Sequence, residues 1–503
     1  MRRALLIVAA LFLLLSVGLY VAATRVLASN YARTTIEQQL TARLGQPVRI
    51  GGLSAAIYPR VAVDLDNVAI GEPTAVTLAH VRFVTGLRAL FSRTISDAEL
   101  IVRKSRLTLP LPVDLFPTNT PTSTATAGPG LTIASVRVLA LEDVELVTGP
   151  KVMRIDLEGS VSGDRLDIGR FALRGGSSRI EGKGTLSSMA SFDGEIEAKA
   201  DPLDLDELMA FASGLTSTTA GPQQKREAAS PMRLKVSLTA TNGQFATYRF
   251  SDLSTTVQLT TGTVTLAPLA VRAFGGQFKG RLDADTRGSV PQLRLSGRVD
   301  GLDVAPLMKA NGTQGGITGT LSAAVTLSAS GTDAAAVQQT AHGTIAAALA
   351  NGTIEHLDLV RTVVLAFGKP TGVPPRGSGS AFTRLGGTFA LANRGLTCND
   401  LSLSSRDFDV TGRSTLQLSS GALNAHGDVK LSQELTAQAG TDLRRYAQED
   451  GRVVVPANVG GTIENPQMSV DIAAATSRAL QNEIQRRTKT LFEGLFKRKG
   501  KGQ

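Results

Sequence analysis

Residues Val271 to Leu307 read VRAFGGQFKGRLDADTRGSVPQLRLSGRVDGLDVAPL, and this stretch decides the fold. Phe278, Gly280, Leu282 and Ala284 alternate with Lys279, Arg281 and Asp283, a period of two that puts the apolar side chains on one face of a β-strand. Leu293, Leu295, Gly297 and Val299 alternate in the same way with Arg294, Ser296 and Arg298. Between them, Thr286-Arg287-Gly288-Ser289 with Pro291 supplies turn chemistry. The unit is a hairpin with one apolar face.

The pattern recurs about a hundred residues earlier. Gly175-Gly176 precedes Ile180, Gly182, Gly184 and Leu186, and Phe192, Gly194, Ile196, Ala198 and Ala200 form the return. The exits also match: Leu203, Leu205 and Leu208 have the spacing of Leu302, Val304 and Leu307. A third, looser copy runs from Leu401 through Phe408, Val410, Gly412 and Leu416 to Leu423, Ala425, Gly427, Val429 and Leu431. Self-similarity of this kind signals an architecture extended by repetition. The fold class that follows is mainly β: an elongated, curved antiparallel sheet forming a groove, built from repeated amphipathic strands.

Composition agrees with a strand-rich protein, since aromatics make up only 4% of the chain and Trp is absent. The single Cys398 excludes an intramolecular disulfide and reads as a small apolar residue. A net charge of +10 points to anionic surroundings. Of an anionic membrane surface and nucleic acid, the second is the weaker candidate and no nucleic-acid partner is expected, because Lys and Arg are scattered singly along polar strand faces with no aromatic-interleaved basic cluster.

Five segments follow in order. Residues 1–28 hold the uncharged run Ala4 to Ala23, twenty residues or about 30 Å of helix, enough to span a bilayer. Leu5, Leu6, Ile7, Leu11, Phe12, Leu13, Leu14, Leu15 and Leu19 would meet the lipid, and Arg2-Arg3 would hold the N-terminus in the cytoplasm. The alternative is a cleaved signal peptide, with Val21 and Ala23 at the cleavage site. Residues 29–130 carry a helix from Asn30 to Leu44, short strands, an apolar interruption at Leu87 to Phe91 and a Pro/Thr-rich loop from Pro110. Residues 131–330 hold the first two repeat copies, separated by a short helix near Leu205 and a polar segment, Ser213 to Pro231. Residues 331–472 hold helical turns at Ala334 to His342 and Leu357 to Phe367, a loop at Lys369 to Ser380, the third copy and a last strand pair. Residues 473–503 form an amphipathic helix with Leu480, Ile484, Leu491 and Leu495 on one stripe, then the basic sequence KRKGKGQ. That helix can lie on a membrane or plug the sheet.

No residue set meets the needs of catalysis, metal binding or a cofactor. His80, His342, His356 and His426 are far apart, and none has a second ligand at helical or hairpin spacing. Gly51-Gly52, Gly175-Gly176 and Gly275-Gly276 lack phosphate-loop spacing. Asp64, Asp66, Asp283, Asp407 and Asp409 alternate with apolar neighbours, as a solvated strand face requires.

What stands out is one-sided sheet with little helix to cover it. About ten strands at a spacing of about 4.8 Å and a length of roughly 15 Å present roughly 700 Å² of apolar face, more than the ~300–600 Å² typical of the largest patch on a soluble monomer. Either the sheet closes on itself as a sandwich, or it curls into a trough whose occupant is apolar, such as phospholipid acyl chains. The candidate lining residues are Ile180, Leu186 and Ile196 in the first copy, Phe278, Leu282, Leu293, Leu295 and Val299 in the second, and Phe408, Val410 and Leu416 in the third. Gly182, Gly184, Gly280, Gly297, Gly412 and Gly427 on the same face fit strong curvature or space for a guest.

The sequence resembles the AsmA family of bacterial envelope proteins. The anchor is followed by Leu44-Gly45-Gln46-Pro47-Val48-Arg49-Ile50, with Pro59 and the strand Val61 to Ile70. More specific are Gly352-Thr353-Ile354 with Leu357-Asp358-Leu359, then Phe382-Thr383-Arg384-Leu385-Gly386-Gly387-Thr388-Phe389. Leu401-Ser402-Leu403-Ser404-Ser405 and Phe408-Asp409-Val410-Thr411-Gly412 complete the match. The resemblance implies a single-pass inner-membrane anchor, a periplasmic body and a long β-groove related to chorein-like, repeating-β-groove lipid bridges. It further implies a part in outer-membrane biogenesis and phospholipid movement, with outer-membrane or envelope proteins as partners and no catalytic residue. The alternative is a scaffold that supports outer-membrane protein assembly through protein contacts, its sheet closed and dry.

Overall fold

The computed structural model describes residues 30–44, 46–56, 60–72, 74–86, 94–109, 132–189, 191–216, 232–313, 316–366, 379–438, 444, 447–471 and scattered positions from 473 to 488. The run Ala4 to Ala23, the stretch Leu87 to Phe91, most of the three polar loops, and Leu491, Leu495 and the basic tail lie outside the described residues. Among the described residues no helix is long and apolar enough to cross a membrane. The protein is mainly β and dominated by antiparallel pairing. It divides into two compact units, with the boundary between Ala267 and Pro268.

Unit 1 opens with helix α1 (Asn30–Leu44) and strands β1 (Val48–Ala56), β2 (Val61–Ile70) and β3 (Val76–Thr85). Short strands β4 (Thr94–Ile95), β5 (Ala98–Arg103), β6 (Arg106–Leu109) and β7 (Thr132–Ile133) follow. The longer β8 (Ser135–Thr148), β9 (Lys151–Ser162), β10 (Arg165–Gly175), β11 (Ser178–Ser188) and β12 (Asp193–Ala200) come next. The unit continues through β13 (Leu203–Asp204), α2 (Leu205–Thr216), β14 (Arg233–Phe245) and β15 (Tyr248–Thr260), and the boundary falls within β16 (Thr263–Ala273).

Three junctions in this unit are parallel: β4 beside β7, β5 and β6 beside β8, and β12 and β13 beside β14. A parallel neighbour requires a long crossover. The Pro/Thr-rich segment before β7 and the polar segment after α2 are those crossovers, which is why turn-type composition alone read as linkers.

The apolar alternation of these strands, together with Ile36 and Leu40 of α1, produces one buried cluster. It gathers Val48, Ile50, Val63, Leu65, Val81, Phe83, Leu100, Leu139, Leu166, Leu186 and Leu234, drawn from β1 to β14. Phe83 and Leu100 are wholly buried. Burying a side chain of this size contributes about 1.5–3 kcal/mol.

Unit 2 is a meander. Its strands are β17 (Gly276–Asp285), β18 (Gln292–Asp303), β19 (Thr320–Ser330), β20 (His342–Glu355), β21 (Gly379–Ala392), β22 (Gly395–Ser404), β23 (Phe408–Gln417) and β24 (Leu423–Leu431). They continue through β25 (Gln448–Glu449), β26 (Arg452–Gly461) and β27 (Pro466–Val470), and every pairing from β17 to β27 is antiparallel. The connections carry α3 (Val304–Ala310), α4 (Ala334–Thr340), α5 (Leu359–Ala366) and α6 (Gln433–Gln438). Because alternate strands of a meander run the same way, α3, α5 and α6, which follow β18, β20 and β24, leave from the same strand ends.

The matching exits of the first two repeat copies are strand-to-helix transitions. Asp204 Oδ1 accepts from the Glu207 N–H and Asp303 Oδ1 from the Ala305 N–H, so each helix begins on an aspartate cap.

A second recurring device joins Phe to Gly across strands. Phe171 faces Gly182, Phe250 faces Gly243 and Phe382 faces Gly352 in register. In each case a Cβ on the glycine would run into the ring; at Gly182 it would lie 2.6 Å from it. The ring of Phe278 covers the Gly280–Gly297 pair in the same way, 2.7 and 2.6 Å from where their Cβ atoms would be. These aromatic side chains cover backbone that glycine leaves bare. At Gly182, Gly280 and Gly297 the room is therefore occupied by a phenylalanine of the chain itself.

Candidate functional site

The registers of unit 2 put the apolar positions of successive strands side by side. One row runs Leu282, Leu295, Leu327, Gly343, Leu391, Leu396, Leu416 and Leu423, from β17 to β24. The next runs Gly280, Gly297, Val325, Ile345, Phe389, Cys398, Ser414, Ala425 and Val459. A third begins Phe278, Val299, Ala323, Ala347 and Gly387, and a fourth joins Leu302, Leu321, Leu349, Leu385, Leu403, Val410, Val429 and Val455. One face of the unit 2 sheet is thus an unbroken apolar surface with Ser414 as its polar exception in these rows.

Bulges keep it so. The registers slip between Val299 and Leu302 in β18 and between Cys398 and Leu401 in β22, so residues three apart in sequence return to the same face. Asp400 fixes the last pair by accepting from the Thr388 N–H at 2.7 Å, a bond that draws its carboxyl below the ordinary Asp value. Burial pushes the Cys398 thiol up and leaves it a neutral member of the surface.

Burial divides the surface in two. The row nearest α3, α5 and α6 belongs to a core: Leu349, Leu403, Phe408, Val429 and Val455 pack with Leu357, Leu359 and Val363, and Val410 packs against them. Phe278, Leu282, Leu293, Leu295, Val299 and Leu416 belong to neither of these groups and remain half-buried. The row from Leu282 to Leu423 is half-buried throughout. A core leucine loses nearly all its exposure, so this half of the face stays only half-buried and no described residue forms a core over it. In the first copy the outcome differs. Ile180 is buried, Leu186 lies within the unit 1 core and Ile196 packs against that core.

The opposite face of the unit 2 sheet is polar. Asp400, Ser402, Thr411, Arg413, His426, Asp428 and Asn458 line an open depression of about 630 Å³ there. Where the turn joins β17 to β18, Arg287 hydrogen-bonds the Asp285 carboxylate and lowers its pKa to about 2. Among the described residues no group of three His, Cys, Asp or Glu could hold a metal ion.

The sequence singled out β17, β18 and β23 as lining and passed over Leu321, Ala323, Val325 and Leu327 of β19, Ile345 of β20, and Phe389 and Leu391 of β21. The signal was present, because each of these strands alternates with the same period of two.

A meander of amphipathic strands with one apolar face and strand-to-helix exits defines a class of β-rich repeat protein. Its family model is that of the AsmA family, which matches residues 151–434, more than half of the chain, and the protein belongs to this family. The match begins with β9 and ends within α6, so it takes in all three repeat copies, whereas the Leu44 to Ile50 motif lies outside it. No curated protein and no solved structure matches the chain.

Proposed function

We propose that the protein is a non-catalytic, membrane-anchored periplasmic protein whose unit 2 trough holds phospholipid acyl chains, and that it takes part in phospholipid transport and outer-membrane biogenesis. The observation that carries this reading is the half-buried row from Leu282 to Leu423: eight registered positions, seven of them leucine, with no core over them among the described residues. An aqueous ligand gains nothing from such a wall, whereas an acyl chain gains about 0.8 kcal/mol per buried methylene. AsmA membership is compatible with this assignment. The tether in this reading is Ala4 to Ala23 in the bacterial inner membrane, with the N-terminus cytoplasmic and the other segments periplasmic.

Photo-crosslinking residues placed at Leu295, on the apolar face, and at its neighbour Arg294, on the polar face, test the proposal. Lipid adducts at position 295 and none at 294, identified by mass in protein purified without detergent exchange of its bound lipid, are expected. Protein-only adducts at 295 would overturn the trough in favour of a scaffold acting through protein contacts.

A further inference from the structure

Every described position from 473 to 488 is helical, and the helix starts from Asp471, whose Oδ1 accepts the Ala474 N–H. It is fastened to the polar side of the sheet. Arg478 reaches Asp428 at 2.9 Å and Glu449 at 3.8 Å. Asp428 stands in register with Thr411 and Pro456, alternating with Gly427 and Val429, which lie on the apolar face. The helix therefore departs from the side opposite the trough, and its position argues against its serving as a plug.

Its large apolar side chains among the described residues are left uncovered. Leu480 is 64% and Ile484 56% exposed, one helical turn apart on the same stripe. Glu483 and Arg487, an i,i+4 ion pair at 3.1 Å, lie beside it. The sequence goes on to place Leu491 and Leu495 at intervals that fall on this stripe and then adds Lys497, Arg498, Lys499 and Lys501. Apolar residues along one side, followed by four cations within five positions, match the interfacial zone of a bilayer rich in anionic lipid.

We infer that this C-terminal helix is a second membrane-docking element that inserts Leu480 and Ile484 into an anionic bilayer surface while Arg478 holds it to unit 2. The inference is independent of what the trough carries. Apolar burial supplies the depth of insertion. The cations supply selectivity for anionic lipid, each adding about 1 kcal/mol, or about fivefold in binding, at low salt.

The test uses the full chain held in phosphatidylcholine nanodiscs, so that the apolar run near its N-terminus is already occupied. Fluorescent vesicles of phosphatidylcholine, with and without phosphatidylglycerol, are then added and their capture is measured. Capture should require phosphatidylglycerol and fall with salt. It should drop about tenfold or more in Leu480→Glu/Ile484→Glu, and about a hundredfold or more when Lys497, Arg498, Lys499 and Lys501 are all changed to Gln. Both sites of the first variant are solvent-exposed, so unchanged unfolding accompanies the loss. Capture that is equal for both vesicles, or unaffected by Leu480→Glu/Ile484→Glu, overturns the inference. Concentration-dependent pairing of nanodiscs without vesicles, abolished by the same variant, also overturns it and assigns the stripe to a second copy of the chain.

Discussion

Leu186 and Leu282 lie on the apolar face of the first strand in two copies of the same hairpin, yet Leu186 is 3% exposed within the unit 1 core and Leu282 is half-buried outside any core. The strands are alike; what faces them differs. In unit 1 the face meets residues from α1 through β14 in one cluster, with Ile36 and Leu40 supplied by the helix. In unit 2 α3, α5 and α6 leave from one set of strand ends, and their core stops at Leu349, Leu403 and Val429. Strand periodicity sets which face is apolar. The connections decide whether that face becomes a core or stays half-buried.

The largest effect that can break this contrast is expected at Leu186→Asp. A carboxylate there enters a buried apolar cluster, and the loss should be about 3–5 kcal/mol. Because the chain has two units, amide exchange in β11 is a better measure than a single global midpoint. Exchange in β11 unchanged by the substitution would mean that the unit 1 face is as open as the wall in unit 2.

Asp204 comes next, a device of unit 1 in its buried form. Burial alone would raise its carboxyl, but hydrogen bonds from the Glu207 N–H, Gln244 and Ser177 outweigh that and hold its pKa below the ordinary value. Its stabilising contribution is thus complete above the unfolded value of about 3.9 and is lost as the pH falls through the lower folded value. Asp204→Ala removes the cap of α2 and leaves Gln244 unpaired, for an expected loss of about 2–3 kcal/mol at neutral pH. Unfolding followed with pH should show the variant losing less than the parent on acidification below about pH 4. The counterpart Asp303, exposed at the start of the shorter α3, should cost about 1 kcal/mol on the same change.

The same contrast shows where the sequence was legible. The hairpins, their apolar faces and the helical exits all follow from local periodicity, and the structure places β11, β12, β17, β18 and β23 where the alternation puts them. Crossovers were not legible, because the residues from 110 to 131 look the same whether they join neighbours or carry the chain to a parallel strand. The alternation of β19 to β21 was legible strand by strand in Leu321, Val325, Leu327, Ile345, Phe389 and Leu391, but the register that sets them beside Leu282 and Leu295 is a long-range property and became visible only when the strands were paired. The partnership of Phe with Gly was hidden for a related reason: Phe171 and Gly182 are eleven residues apart and meet only through the strand pairing.

That partnership gives a smaller expected effect. A methyl at Gly182 meets the Phe171 ring at 2.6 Å and the Glu197 carbonyl oxygen closer still, so Gly182→Ala should cost about 1–3 kcal/mol. Gly182→Ala combined with Phe171→Leu should recover part of this, because the smaller side chain can move aside while the backbone contact remains. A double-mutant cycle with no coupling would show that the ring only lies over the glycine without being seated by it.

The smallest expected change in stability belongs to Leu282→Asp, and it bears most directly on the contrast with Leu186. Position 282 already meets solvent, and its cross-strand partner Leu295 is half-buried as well. A carboxylate there stays hydrated when no lipid is present, so the burial penalty that applies at Leu186 does not arise. The loss should be under about 1 kcal/mol, measured by amide exchange in β17, while bound lipid recovered by mass spectrometry falls sharply because an acyl chain cannot cover the charge without desolvating it. If Leu282→Asp instead unfolds unit 2 as Leu186→Asp unfolds unit 1, the two faces are equally dry. The leucine row would then be half of a core whose other half is supplied by a protein partner, and acyl chains would have no part in it.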